Sequence, residues 1–134
     1  MIEGRLDVEA LLAQPVESFG APTVGGPSQQ FQVSWLVNDR RGSIAYEAFA
    51  GKSQVDWAFF HDEVHVITGG EAEVTYTLAP NHRKTTTKRF TAGDVYIIPC
   101  GARAQFDIVS EEPYLHICVI MPRYELSKDE RLNS

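Results

Sequence analysis

The short stretch Phe60-His61-Asp62-Glu63-Val64-His65 concentrates side chains that can move protons or ligate a metal. In an extended chain the residues at i, i+2 and i+4 leave the same face, so His61, Glu63 and His65 share one side of a strand here. His61 lies beside the turn that precedes this strand, which loosens its place in the set. A carboxylate next to an imidazole can exchange protons near neutral pH. Burial against Trp57, Phe59 and Phe106 raises the carboxyl pKa, while the mutual interaction opposes that rise. Three readings stay open: a Glu63 and His65 acid–base pair with His61 beside it, a His65 that only packs and hydrogen-bonds Glu63, and a divalent transition-metal site built from His61, Glu63 and His65, with His116 as a further donor. Strand geometry ranks the metal last, because side chains at i and i+4 start about 13 Å apart.

Other candidates lie further along the chain. Tyr114, His116 and Cys118 share one face of a late strand, and Leu115, Ile117 and Val119 share the other. An inward apolar face leaves His116 at a surface or interface; the opposite choice puts another proton donor in the pocket. The Tyr96 phenol either orients a substrate oxygen or covers the pocket rim. Cys100, in the turn Pro99-Cys100-Gly101, has no base placed for it by the sequence and is a weak nucleophile candidate. Arg103 is expected to point outward, and His82 to be solvated with the basic run Arg83, Lys84, Lys88 and Arg89 at a hairpin tip.

The elements that must position these residues are nearly all strands. Leu6 to Ala13 suits a short helix, with Asp7 as N-cap and Pro15 as stop. Gly20 to Pro27 has no periodicity and reads as a loop. From Phe31 onward, runs rich in Val, Ile, Tyr, Phe and Thr alternate with turn residues, the pattern of an all-β sandwich or barrel. The expected strands cover 31–37, 43–49, 54–60, 63–68, 72–79, 86–91, 94–98, 104–109 and 114–121. The expected organisation is 1–5 as vector-derived residues, 6–30 as helix and loop, 31–123 as one β-barrel and 124–134 as a polar tail with a weak helical signal. Met1 to Arg5 matches a protease recognition sequence common in expression vectors, so the natural chain is expected to begin near Leu6.

Two segments carry a family resemblance. The first runs Gly51, five residues, Trp57-Ala58-Phe59, three residues, Glu63, six residues, Gly70. The second runs Gly93, five residues, Pro99-Cys100-Gly101, two residues, Ala104, three residues, Ile108. Together they resemble the paired motifs of the cupin superfamily, and the stretches 60–65 and 92–101 are most similar to small cupins of the ethanolamine-utilisation and ureidoglycine-aminohydrolase type. The resemblance implies a single-domain β-barrel with a ligand pocket inside, dimerised through sheet edges. It also implies that three histidines and one glutamate would hold a metal; Trp57, Phe59 and Ala104 occupy those histidine positions and only Glu63 matches. A lone carboxylate does not hold a transition metal tightly, so no cofactor is expected, with a displaced divalent metal as the alternative.

Composition narrows the remaining possibilities. At 134 residues the chain suits one domain. Eighteen acidic against 12 basic residues give a net charge of -6, which argues against a nucleic-acid or membrane-surface partner. No apolar run reaches transmembrane length. Two cysteines suit reduced thiols in a cytoplasmic protein without a disulfide. The leading expectation is a homodimeric, metal-independent lyase, dehydratase or isomerase acting on a small metabolite. Glu63, His65 and His61 would do the chemistry, and Trp57, Phe59, Phe106, Tyr96 and His116 would contact the substrate. The alternatives are a non-catalytic metabolite-binding or accessory protein and a metal enzyme with a shifted ligand set.

Overall fold

Each expected run of β-branched and aromatic residues forms a strand in the computed structural model, which describes residues 1–20 and 26–121. The tail expected over 124–134 and the middle of the loop expected over 20–27 lie outside the described residues. A helix, α1 (Val8–Leu12), is capped by Asp7, whose carboxylate accepts the Ala10 backbone N–H at 3.0 Å. The strands are β1 (Glu17–Phe19), β2 (Gln29–Asp39), β3 (Gly42–Phe49), β4 (Gln54–Ala58), β5 (Asp62–Gly69), β6 (Glu71–Thr77), β7 (Thr86–Thr91), β8 (Val95–Ile98), β9 (Arg103–Ile108) and β10 (Tyr114–Met121). Only β1 falls where no strand was expected; its three residues are held by antiparallel pairing to the start of β2 and by Phe19 stacking on Phe31 at 4.2 Å.

The strands form two antiparallel sheets, a six-stranded one in the order β1-β2-β3-β10-β5-β8 and a four-stranded one in the order β4-β9-β6-β7. Their facing sides make the core. Phe31, Phe49, Ile67 and Tyr114 meet Val55, Val74, Phe106 and Ile108 there. Gly70, the last glycine of the first motif, lies at φ +74° where β5 turns into β6, and an added Cβ would overlap the Pro113 carbonyl. The turn therefore demands glycine on two independent grounds.

The central strand of the larger sheet, β10, resolves the question of its two faces. Tyr114, His116 and Cys118 are buried toward the core, so the apolar side does not face inward. Leu115 and Ile117 lie on the outer surface of the sheet, where Leu11 of α1, with Tyr46, Ala48 and Leu36, covers them. The helix supplies an apolar partner to the outer face and so releases the inner face for polar groups. Beyond α1 the outer face continues with the cross-strand row Ile44, Val119, Val64, Ile97 over β3, β10, β5 and β8, which no other element among the described residues covers. On the edge strand β8, Val95 and Ile97 are 60% and 67% exposed.

Candidate functional site

The polar side chains of the barrel interior come from four adjacent strands, β3, β10, β5 and β8. Register sets Glu47 of β3 opposite His116 of β10, and Cys118 of β10 opposite His65 of β5, with Glu63 two residues before His65 on the same face. Glu63 Oε2 lies 3.1 Å from His65 Nε2 and accepts the Cys118 thiol at 3.3 Å. His65 Nδ1 lies 3.0 Å from the Tyr96 hydroxyl, which in turn lies 3.0 Å from the Tyr114 hydroxyl. His116 Nε2 lies 2.8 Å from Glu47 Oε1, and its ring stacks on His65 with centroids 4.5 Å apart. The result is one continuous chain, Glu63 to His65 to Tyr96 to Tyr114, backed by a second imidazole and carboxyl pair.

Burial sets the electrostatics. Loss of water pushes the Glu63 carboxyl above its ordinary range, against the opposing pull of the Cys118 hydrogen bond and of the imidazoles of His116 and His61. Loss of water also holds His65 well below the usual imidazole value, and His116 adds to this. Desolvation pushes the Tyr96 and Tyr114 phenols and the Cys118 thiol upward, so these three stay protonated near neutral pH. The pair thus favours its neutral forms.

Glu63 and His65 open onto a cavity of about 170 Å³ whose apolar wall includes Phe31, Phe49, Trp57, Phe59 and Phe106. Phe19 and Glu47 also border it. Apolar cavities near 150 Å³ admit a benzene-sized molecule, which sets the scale of a ligand here.

Of the residues picked out in the sequence, the structure brings together Glu63, His65, Trp57, Phe59 and Phe106. His61 is not among them. It lies exposed one residue ahead of β5, because the strand begins only at Asp62, and it reaches Glu63 only through its charge. Tyr96 and His116 are in the polar chain and do not line this cavity: Tyr96 holds His65 from the far side, and His116 is fully buried behind it. Arg103 is exposed, as expected. Three members of the cluster, Glu47, Tyr114 and Cys118, carried no role in the sequence reading. The signal for Glu47 was a single charged residue in the apolar run Ile44-Ala45-Tyr46-Glu47-Ala48-Phe49, at the same parity as Ala45 and Phe49.

An antiparallel two-sheet barrel with a buried polar cluster and an internal cavity defines the class, and the fold is that of the cupin superfamily. A cupin superfamily protein from Desulfitobacterium hafniense is 18% identical with a TM-score of 0.55, over 69% of this chain and 78% of its own. The Clostridium difficile EutQ protein is 20% identical with a TM-score of 0.54, over 73% of this chain and 66% of its own. Drosophila melanogaster CENP-C, in a structure bound to CAL1, is 15% identical with a TM-score of 0.59, over 78% of this chain and 80% of its own. No protein-family model and no curated protein matches the sequence.

The metal set implied by the family resemblance does not fit these residues. Trp57 and Phe59, with Ala104 across from Trp57 in the sheet, offer no donor atom. The donors of the described residues are shifted to two overlapping triads, Glu47 with His65 and His116, and Glu63 with His65 and Cys118, each with ligand atoms within 4.8 Å of one another. The expected alternative set of His61, Glu63 and His65 is replaced by these, since His61 is out of reach.

The sign of the Glu63 shift gives a stability test. A carboxyl whose folded pKa is raised binds its proton more tightly when folded, so its contribution is present below the unfolded pKa and is lost as pH rises through the folded value. Glu63→Gln removes this dependence. Its melting temperature, measured relative to the parent protein, should therefore shift in favour of the variant as pH is raised from 4.5. A difference that is flat with pH, or that moves the other way, refutes the raised pKa.

Proposed function

We propose that the protein binds a small, single-ring or short-chain metabolite in the barrel and transfers a proton on it with Glu63. The observation that carries this reading is a hydrogen-bonded carboxyl and imidazole pair at the wall of a small aromatic cavity. Desolvation makes the ionised Glu63 a stronger base than a carboxylate in water. It takes a proton from a C–H or O–H of the ligand, and the Cys118 thiol, by donating to Oε2, keeps the carboxylate oriented. His65 is the partner of Glu63: with Nε2–H donating to the carboxylate, its Nδ1 accepts from Tyr96, and when Glu63 is protonated the ring can take the opposite tautomer. Trp57, Phe59 and Phe106 bind the apolar part of the ligand and exclude water. Such chemistry suits a lyase, dehydratase or isomerase. A thermal-shift screen of single-ring and short-chain metabolites identifies ligands, and proton NMR of each hit follows turnover. Glu63→Gln is expected to lower turnover by about 10²- to 10⁴-fold with the ligand still bound. Binding without turnover in the parent protein supports the alternative of a metabolite-binding or accessory protein.

A second reading, a metal protein with shifted donors, is favoured by one observation: His116 Nδ1 is buried without a hydrogen-bond partner, beside the triad of Glu47, His65 and His116. Imidazole and carboxylate donors suit zinc, iron or nickel, and such an ion would supply Lewis acidity at the cavity wall. Protein purified without chelator is expected to carry well under one equivalent of transition metal by mass spectrometry. A near-stoichiometric content that falls in His116→Gln promotes the metal reading over the metal-independent one.

The apolar outer face of β5, β8 and β10, uncovered among the described residues, supports a homodimer. Ile44, Val119, Val64 and Ile97 form one row of cross-strand neighbours, and Val66 with Val95 begins the next, ending at an unpaired edge. Exposed apolar sheet faces of this kind mark interaction surfaces, and a two-fold axis lets the same patch serve both subunits. Light scattering after gel filtration should give a dimer. Val95→Glu combined with Ile97→Lys should give a folded monomer; a monomeric parent protein rejects the interface.

A further inference from the structure

A second cavity lies on the far side of Tyr96 and Phe106 from Glu63. β7 ends the smaller sheet and β8 ends the larger one, and the two do not pair, so the sandwich is open along the seam between them. A cavity of about 330 Å³ fills this seam, walled by Tyr76, Phe90, Tyr96, Ile98 and Phe106. Ala102 and Ala104 contribute only methyl groups to the wall, which leaves the cavity deep. The volume falls in the range of sites that take metabolite-sized ligands, about twice that of the cavity beside Glu63.

The mouth has a defined charge. Lys88 pairs across the sheet with the buried Val74, and Phe90 with the buried Ala72, so Lys88 holds an inward register position on an edge strand. Its stem lines the cavity while its ammonium group stays in water. Lys84 and Lys88 together line the adjoining depression, which shares Tyr76 and Leu78 with the cavity. Among the described residues, neither lysine takes part in an ion pair, whereas the neighbouring Arg89 is paired with Glu71 and Glu73. Among the described residues, no Asp or Glu lines either space. In a chain with a net charge of -6, two unpaired cations at the mouth of an apolar cavity form a local site of the opposite sign.

We propose that the seam between β7 and β8 is a second binding site, for an amphipathic carboxylate: a single ring or short alkyl chain fills the cavity, and the carboxylate meets Lys84 and Lys88. The proposal goes beyond the proton-transfer reading and does not depend on it. An inward lysine on an edge strand can also serve only to prevent edge-to-edge pairing, and this is the reading that the experiment must defeat.

The probe is 4-phenylbutyrate, with 4-phenylbutan-1-ol as its uncharged counterpart, titrated calorimetrically into the full chain at low ionic strength. The acid should bind more tightly than the alcohol. Lys84→Gln combined with Lys88→Gln should weaken the acid by about tenfold and leave the alcohol unchanged. Ala104→Leu should abolish binding of both, and Glu63→Gln should change neither. Should Ala104→Leu fail to fold, backbone amide shifts in the parent protein decide the location: perturbations at Tyr76, Phe90 and Ile98 support the site, and perturbations centred on Trp57, Phe59 and Glu63 overturn it. Absence of binding at millimolar acid, equal affinity for acid and alcohol, or an unchanged acid affinity in the double lysine variant also overturns it, the last outcome leaving Lys88 as an edge guard.

Discussion

Two carboxyl groups, two imidazoles and a thiol sit in the apolar interior of this barrel, and among the described residues no Lys or Arg pairs with either carboxyl. Buried polar groups are tolerated only where they satisfy one another, since an unpartnered one costs several kilocalories per mole and a charged one more. Mutual satisfaction here depends on β10. It pairs with β3 on one side and β5 on the other, so its inward residues stand between Glu47 and the Glu63 and His65 pair. A register slip by one residue would turn His116 and Cys118 outward and bring Leu115 and Ile117 in, leaving Glu47 without His116 and Glu63 without the Cys118 thiol. The helix α1 acts against that slip by covering the apolar side of the same strand.

The same desolvation assigns different work to the members of the cluster. It moves Glu63 up and His65 down, so burial favours the neutral form of each member of the pair. It moves the phenols of Tyr96 and Tyr114 and the thiol of Cys118 the other way from reactivity: they remain hydrogen-bond donors that orient their neighbours. A thiolate nucleophile is thereby removed from the interior, because a buried thiol in contact with a carboxyl is held protonated. The interior thus combines one carboxyl and imidazole pair with three hydrogen-bond donors that stay protonated.

Much of the fold was legible because alternation and turn residues are local. The nine strands expected from Phe31 onward each have a counterpart, and the glycine spacing of the two motifs marks real turns, as the positive φ of Gly70 and Gly93 shows. β1 was not legible: three residues carry no periodicity, and Phe19 earns its position only by stacking on a strand ten residues later in the chain. For the site, the i, i+2 rule was enough to place Glu63 with His65. It failed for His61, because a strand rule extends only as far as the strand. Hydropathy misled for β10, where the more apolar side is the one covered by α1. For Glu47 the sequence offered only a lone charge in an apolar run; its partner His116 lies 69 residues away and is joined to it by sheet register.

Trp57, Phe59 and Ala104, at the positions where the cupin resemblance implies histidines, also shape the interior. Phe59, Phe106 and His65 approach edge to face or tilted with centroids between 6.1 and 6.4 Å, and Trp57 packs against Phe19 and Phe31 at 6.3 and 5.8 Å, so an aromatic cluster walls the cavity beside Glu63. Ala104, at the third position, does the reverse and leaves room on the other side of Phe106. An interior that imidazoles would have knit around one centre is thus divided by Phe106 and Tyr96 into a small cavity that holds the titratable pair and a larger, apolar one that opens toward the lysines. Tyr96 belongs to both sides at once, its ring in the wall of the larger cavity and its hydroxyl on His65. Any displacement of that ring alters its hydrogen bond to His65, and Phe106 lines both cavities, so the division that separates them is also a physical link between them.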